Sequence, residues 1–216
     1  LRGSRDVFLT KLHRNGSQLL FSTYLGGDSS DWGKGVALGS DDTIFLAGYG
    51  YAEDFPTLNP WQSSNSGSID GFAARFASTG SVLRYSSYLG GGAIDYAHGV
   101  AVDPDGQAHL IGWTNSTDTF PVHNAYRAVG EGSFEAFVVK LASSGSAAIY
   151  STLLGGERSE QAYAIAVDEN GNALLSGYTD SPDFPTRNPY QASHSGGGSF
   201  DAFFAAFNPS GPMFRM

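Results

Sequence analysis

Tyr24-Leu-Gly-Gly27 returns as Tyr88-Leu-Gly-Gly91 and again as Leu153-Leu-Gly-Gly156. It belongs to a larger set with one spacing, each return coming 64 to 66 residues later. Phe55-Pro56 recurs at Phe120-Pro121 and Phe184-Pro185. Asp6-Val-Phe-Leu-Thr-Lys-Leu12 recurs as Asp70-Gly-Phe-Ala-Ala-Arg-Phe76, Glu135-Ala-Phe-Val-Val-Lys-Leu141 and Asp201-Ala-Phe-Phe-Ala-Ala-Phe207. Gly3-Ser-Arg-Asp6 likewise aligns with Gly67-Ser-Ile-Asp70, Gly132-Ser-Phe-Glu135 and Gly198-Ser-Phe-Asp201, so the first residues are repeat sequence. The repeats run 6–69, 70–134 and 135–200, with a partial fourth at 201–216, within one domain over 1–216. A fixed period of this size is the sequence signature of a repeat architecture.

Inside one unit the runs are those of strands. Gly99-Val-Ala-Val-Asp103 is followed by the turn Pro104-Asp-Gly106, then by Ala108 to Trp113, Phe137 to Leu141, and Ala148 to Leu154. These are short apolar runs bounded by Gly, Asp, Asn and Ser, without helical periodicity. Asp105-Gly106 and Asn170-Gly171 are hairpin dipeptides. Four antiparallel strands, repeated, predict an all-β fold: a β-propeller of four-stranded blades, with about three blades' worth in this chain. The Gly-Val-Ala-Val-Asp run is read as the inner strand and the Tyr85-Ser-Ser-Tyr-Leu89 run as the outer one. In that phasing the chain opens with the last two strands of one blade, crosses two complete blades, and ends with three strands of another. Gly48, Gly112 and Gly177 repeat in the second strand, where a side chain is expected to obstruct a neighbouring sheet.

The series Tyr-Leu-Gly-Gly, Asp95-Tyr-Ala-His-Gly-Val-Ala-Val-Asp103, Asp-Gly, Gly112-Trp-Thr and Phe-Pro resembles the bacterial SBBP β-propeller repeat. Its inner-strand portion is also similar to NHL-type blades. The resemblance implies a propeller of large secreted or cell-surface bacterial proteins, and no activity. It also implies further blades, because a ring normally takes ~4–8 of them. The chain starts and stops inside a unit. The missing blades are therefore expected from the rest of a longer polypeptide or from other protein chains.

Composition narrows the function further. Twelve Lys and Arg against 21 Asp and Glu give a net charge of −9, which disfavours phosphate backbones and anionic lipid surfaces. The absence of cysteine excludes disulfides, thiolate metal sites and cysteine nucleophiles. No apolar run reaches the ~18 residues of a membrane span. The 15 Phe, 11 Tyr and three Trp mark a chain with a core to bury.

Catalysis in a repeat protein calls for an irregular residue. His13, His98, His109, His123 and His194 do not recur at equivalent positions; His98 aligns with Lys34 and Tyr163. No nucleophile elbow, zinc-binding helix or phosphate loop accompanies them, so no catalytic residue is assigned and the chain is read as non-enzymatic. The Gly-rich stretches 26–27, 90–92 and 196–198 read as turns and blade junctions. Asp103-Pro-Asp105-Gly resembles half of a calcium loop without the bidentate Glu that completes one, and an Asx turn is the simpler reading. Neither a metal nor any other cofactor is expected.

Binding residues are expected on one loop face. Asn59, Asn124 and Asn188 precede Trp61, Tyr126 and Tyr190 at matched offsets, in loops expected to emerge beside Asp31, Asp95 and Glu160. Aromatic rings with amide and carboxylate acceptors suit a sugar, so carbohydrate recognition is the alternative to a structural or interaction module, with a glycan-active enzyme behind it. The competing reading of the same residues has the aromatics wedged between blades and the Asn side chains capping turns.

Overall fold

The structure is a computed structural model that describes residues 2–196 and 199–214; Gly197 and Gly198, in the repeated glycine stretch, fall outside the described residues. Among the described residues there are fourteen strands and no α-helix. β1 (Val7–Leu12) and β2 (Leu19–Leu25) form a two-stranded pair. Blade 1 is β3 (Asp31–Leu38), β4 (Ile44–Gly50), β5 (Asp70–Phe76) and β6 (Leu83–Leu89). Blade 2 is β7 (Asp95–Val102), β8 (Ala108–Thr114), β9 (Glu135–Leu141) and β10 (Ala148–Leu154). Blade 3 is β11 (Glu160–Val167), β12 (Ala173–Thr179), β13 (Asp201–Asn208) and the short β14 (Gly211–Phe214). Each sheet is an antiparallel meander in which neighbours in sequence are neighbours in space. The phasing is the expected one, with β14 added as the beginning of a fourth strand.

The blades stack face to face because their third strands are apolar on both sides. Phe137 of β9 packs toward blade 1, while the next residue, Val138, packs toward blade 3. All seven residues of β9 are buried, as expected of a continuous apolar run. Tyr85 of blade 1 lies in the core shared with blade 2, and Tyr150 of blade 2 in the core shared with blade 3. Each large side chain so buried contributes about 1.5–3 kcal/mol.

The inner strands depart from the reading in two ways. They begin earlier than expected, at Asp31, Asp95 and Glu160, so these acids open the strand rather than precede it. Each also carries a bulge at the same place, between Gly33 and Gly35, Ala97 and Gly99, and Ala162 and Ala164. The second-strand glycine is explained within its own sheet. A Cβ on Gly112 would stand 1.8 Å from the Tyr96 carbonyl oxygen of β7, and Gly48 and Gly177 meet Trp32 and Gln161 at 2.0 Å in the same way. The obstruction is the neighbouring strand's backbone, not a neighbouring blade.

Main-chain contacts join the blades. Asp31, Asp95 and Glu160 each donate their N–H to the residue that precedes the third strand of the unit before: Arg5 (2.8 Å), Ile69 (2.8 Å) and Phe134 (2.9 Å). The Phe-Pro loops of blades 1 and 2 fold back onto the outer strand of their own blade. Leu58 and Ser86 exchange N–H···O bonds of 3.1 and 2.9 Å, and His123 and Ser151 exchange bonds of 3.0 and 2.7 Å. An outer strand is otherwise an open template for pairing.

Candidate functional site

The three loop asparagines hold a backbone role. Asn59, Asn124 and Asn188 have φ of 45°, 45° and 48°, in the left-handed region that Asn tolerates better than most residues. Their aromatic neighbours diverge. Trp61 is half-buried against the core shared by blades 1 and 2. Tyr126 is 44% exposed and Tyr190 fully exposed. The structure therefore does not gather Trp61, Tyr126 and Tyr190 into equivalent open platforms.

The acids at the strand entrances are not displayed beside these loops. Asp31, Asp95 and Glu160 are at most 2% exposed. Each accepts the N–H of the second glycine of its junction: Gly27 to Asp31 at 2.9 Å, Gly91 to Asp95 at 2.9 Å, and Gly156 to Glu160 at 3.0 Å. Thr114 and Ser116 also donate hydroxyls to Asp95, and Thr179 donates to Glu160 at 2.5 Å. Blade 1 has Gly50 in the place of Thr114, which leaves Asp31 Oδ1 buried without a partner.

A second acid converges on each first glycine. A Cβ on Gly26 would fall within 3 Å of both Asp6 and Asp31, one on Gly90 within 3 Å of Asp70 and Asp95, and one on Gly155 within 3 Å of Glu135 and Glu160. The first member of each pair precedes or opens the third strand of one unit, and the second opens the inner strand of the next. Burial pushes Asp31 up to about 6, with the charges of Asp6 and Asp54 adding to it. Burial likewise lifts Asp70 to about 7, helped by Asp95, and it also raises Asp95, Glu135 and Glu160.

Comparison with known families finds the beta-propeller repeat model SBBP at residues 84–118 and 149–185. The chain carries SBBP repeats. The two matched stretches are a third of the chain, and each runs from an outer strand across a junction into the first two strands of the next blade. The SBBP match thus contains the glycine pair and the inner-strand acid, so those features belong to the architecture. No curated protein matches the chain.

Two clusters around the SBBP framework were not anticipated. The first is a belt of rings across the inner strands: Trp32 on Tyr49 at 5.3 Å between centroids, Tyr49 on Tyr96 at 3.9 Å, Tyr96 on Trp113 at 4.4 Å, and Tyr163 by Tyr178 at 5.7 Å. The bulges add Lys34, His98 and Tyr163, where the repeats differ most in chemistry. Lys34 Nζ lies 5.1 Å from the Tyr49 ring centre, and His98 lies 4.8 Å from Tyr163. Burial, with Lys34 nearby, brings His98 down to about 4, so its imidazole is neutral at pH 7. The repeated aromatics at 49, 113 and 178 were the available signal. Tyr49 on Tyr96 and His98 by Tyr163 carry the belt from one blade to the next, and the pairs Trp32–Tyr49, Tyr96–Trp113 and Tyr163–Tyr178 lie within a blade.

The second cluster is unique to blade 2. Lys140 Nζ lies 2.9 Å from Asp103 Oδ2 and donates to the Pro209 carbonyl of blade 3 at 3.0 Å. His109 Nε2 approaches the same Asp103 oxygen at 3.4 Å, and Tyr150 OH lies 3.3 Å from His109 Nδ1. Burial pushes Asp103 upward, but hydrogen bonds from His109 and Lys140 outweigh it and hold the carboxyl well below the usual range. Burial lowers the pKa of His109. Asp103 Oδ1 also accepts the N–H of Asp105 and Gln107, and Asp168 Oδ1 that of Asn170 and Asn172, as in Asx turns. Among the described residues no three His, Asp or Glu side chains are placed to hold a metal ion.

Proposed function

We propose that this chain is a non-enzymatic β-propeller module of a secreted or cell-surface protein, a structural and interaction scaffold completed by further blades from the same polypeptide or from other chains. The observation that carries this reading is the contrast between its ends and its junctions. Phe8 and Tyr24 on the β1–β2 pair are 71% and 62% exposed, whereas their repeat equivalents Phe72 and Tyr88 are 1% and 3% exposed. At the other end Phe204 is 57% exposed, where its equivalent Val138 is fully buried. Such faces are blade interfaces awaiting a blade. The assignment to a secreted or surface protein rests on the SBBP resemblance. The non-enzymatic reading is supported by the enclosure of the Asp103–Lys140–His109 group, whose side chains are at most 3% exposed.

Analytical ultracentrifugation tests the scaffold reading. Self-association, or capture of neighbouring blades supplied on a longer chain, is expected. A strictly monomeric 22.8 kDa species with a cooperative thermal transition would overturn it. Carbohydrate recognition retains one favouring observation, the 44% exposure of Tyr126 in its loop. Glycan-array binding lost in Tyr126→Ala would support that second reading.

A further inference from the structure

At each junction between the four-stranded blades, one carboxyl oxygen has no hydrogen bond and lies against the same glycine as another carboxylate. Between blades 1 and 2, Asp95 is fully engaged: Gly91 N–H and the Ser116 hydroxyl donate to Oδ2 at 2.9 Å each, and the Thr114 hydroxyl donates to Oδ1. Opposite, Asp70 Oδ2 accepts Ser66 N–H at 2.9 Å and Gln62 Nε2 at 3.1 Å, whereas Oδ1 accepts nothing. Between blades 2 and 3 the arrangement repeats with longer side chains. Glu160 accepts from Gly156 and Thr179; Glu135 Oε1 accepts the N–H of Glu131 (2.8 Å) and Gly132 (3.0 Å), and Oε2 accepts nothing.

The unfilled oxygen is the one that lies against the same glycine as the partner acid. Asp70 Oδ1 and Asp95 Oδ2 lie 2.6 and 2.8 Å from the point where a Cβ on Gly90 would sit. Glu135 Oε2 and Glu160 Oε2 lie 2.1 and 2.2 Å from the corresponding point on Gly155. All four acids are at most 1% exposed. Two ionised carboxylates flanking one glycine in so dry a site repel each other, and the empty lone pair is an unmet hydrogen bond. A carboxylic O–H on the unfilled oxygen removes both penalties.

We propose that these two junctions are proton latches: one proton resides on the third-strand acid, Asp70 or Glu135, and is donated to the inner-strand carboxylate of the next blade, Asp95 or Glu160. Loss of that proton to solvent leaves two facing anions and loosens the blade contact. The surrounding groups favour the proton over a metal ion, since toward the two carboxyls each of them acts as a donor. Around Asp70 and Asp95 these are Gln62, Ser66, Thr114 and Ser116, with the Tyr88 phenol also nearby. Around Glu135 and Glu160 the charged groups are Arg127, whose Nη1 is 4.0 Å from the opposite oxygen, Oε1; Glu131, which shares Arg127; and Asp180.

The direction of the pH effect follows from which state holds the proton more tightly. Asp70 titrates at about 7 in the folded chain, above its ordinary 3.8, and Asp95, Glu135 and Glu160 are raised as well. The latch acids therefore bind more protons in the folded than in the unfolded state between about pH 4 and 7, and their contribution to stability falls as pH rises through that window. His98 and His109, lowered in the folded chain, act in the opposite sense below about pH 6.5.

Thermal unfolding of the 216-residue chain followed from about pH 6.5 to 8.5, above the range in which His98 and His109 titrate, tests the latch. The melting temperature is expected to fall by roughly 2 °C or more across that range. The double variant Asp70→Asn, Glu135→Gln carries a permanent N–H donor at each latch and is expected to lose at least half of that slope. A flat or rising profile for the unsubstituted protein, or a variant with the full slope, would overturn the proposal. Infrared spectroscopy of the unsubstituted protein gives a reading independent of the variant's folding. A carboxylic acid C=O band at about pH 6.5 supports the latch, and its absence refutes it.

Discussion

Replacing Lys140 by alanine tests whether the buried cation of blade 2 is a structural lock. Its ammonium is 3% exposed and lies 2.9 Å from Asp103 Oδ2, itself 2% exposed, and it reaches the Pro209 carbonyl in the next blade. Removing one partner of a buried ion pair typically costs about 3–5 kcal/mol, because the other charge stays buried. Asp103 keeps the N–H groups of Asp105 and Gln107 and the approach of His109, which places the ionic loss at the low end, about 3 kcal/mol. The Pro209 carbonyl loses its Lys140 donor, adding about 1 kcal/mol. For a chain of this size each kcal/mol moves the melting temperature by about 2–4 °C, so Lys140→Ala should melt about 8–16 °C lower. Calorimetry at pH 7 measures this. A double-mutant cycle with Asp103→Asn, paired with Lys140→Met, isolates the coupling between the two side chains. A loss under about 1 kcal/mol, or a coupling near zero, would refute the lock. Arg75 provides the contrast: it is the repeat equivalent of Lys140 and donates to the Ser143 carbonyl of blade 2, but its acid partner Asp41 is 57% exposed. Loss of that exposed ion pair should leave the melting temperature nearly unchanged.

Gly112→Ala places a Cβ 1.8 Å from a backbone oxygen and should destabilise by more than about 3 kcal/mol in urea titrations; near-neutral behaviour would refute the assigned close approach. Trp61→Ala should cost about 2–3 kcal/mol because the ring packs in a junction, whereas Tyr190→Ala should stay within about 0.5 kcal/mol. Equal losses at the two positions in thermal melts would contradict this ordering. Millimolar calcium added to chelated protein should give no calorimetric heat, since Asp103 is bound to Lys140 and Asp168 is engaged by Asn170 and Asn172. A saturable heat would reverse that expectation.

The strands and their order were readable because alternating burial on both faces writes short apolar runs such as Phe137 to Leu141 into the chain. The starts of the inner strands were not, since Asp95-Tyr-Ala-His98 mixes a buried acid, two half-buried rings and a bulge, and shows no simple alternation. Asp31, Asp95 and Glu160 were correctly marked as repeated, but spacing carries no depth, and their burial depends on a partner acid from the adjacent unit. Asn59, Asn124 and Asn188 looked like ligand acceptors and instead supply left-handed backbone positions. Trp61, Tyr126 and Tyr190 share one place in the repeat yet differ in exposure, because exposure depends on side-chain size and on what packs beyond each loop. The Lys140–Asp103 contact joins residues that ordinary motif spacing does not connect.

The hydrogen bonds from Leu58 to Ser86 and from His123 to Ser151 constrain how a larger object made from this unit can be built. The perimeter of blades 1 and 2 is already occupied at mid-strand by their own loops, so lateral accretion of foreign chains, the route to fibrous deposits, meets a closed rim. Extension is left to the broad apolar surfaces at the two ends. If copies join through those ends as proposed above, growth is circumferential and favours rings over ribbons.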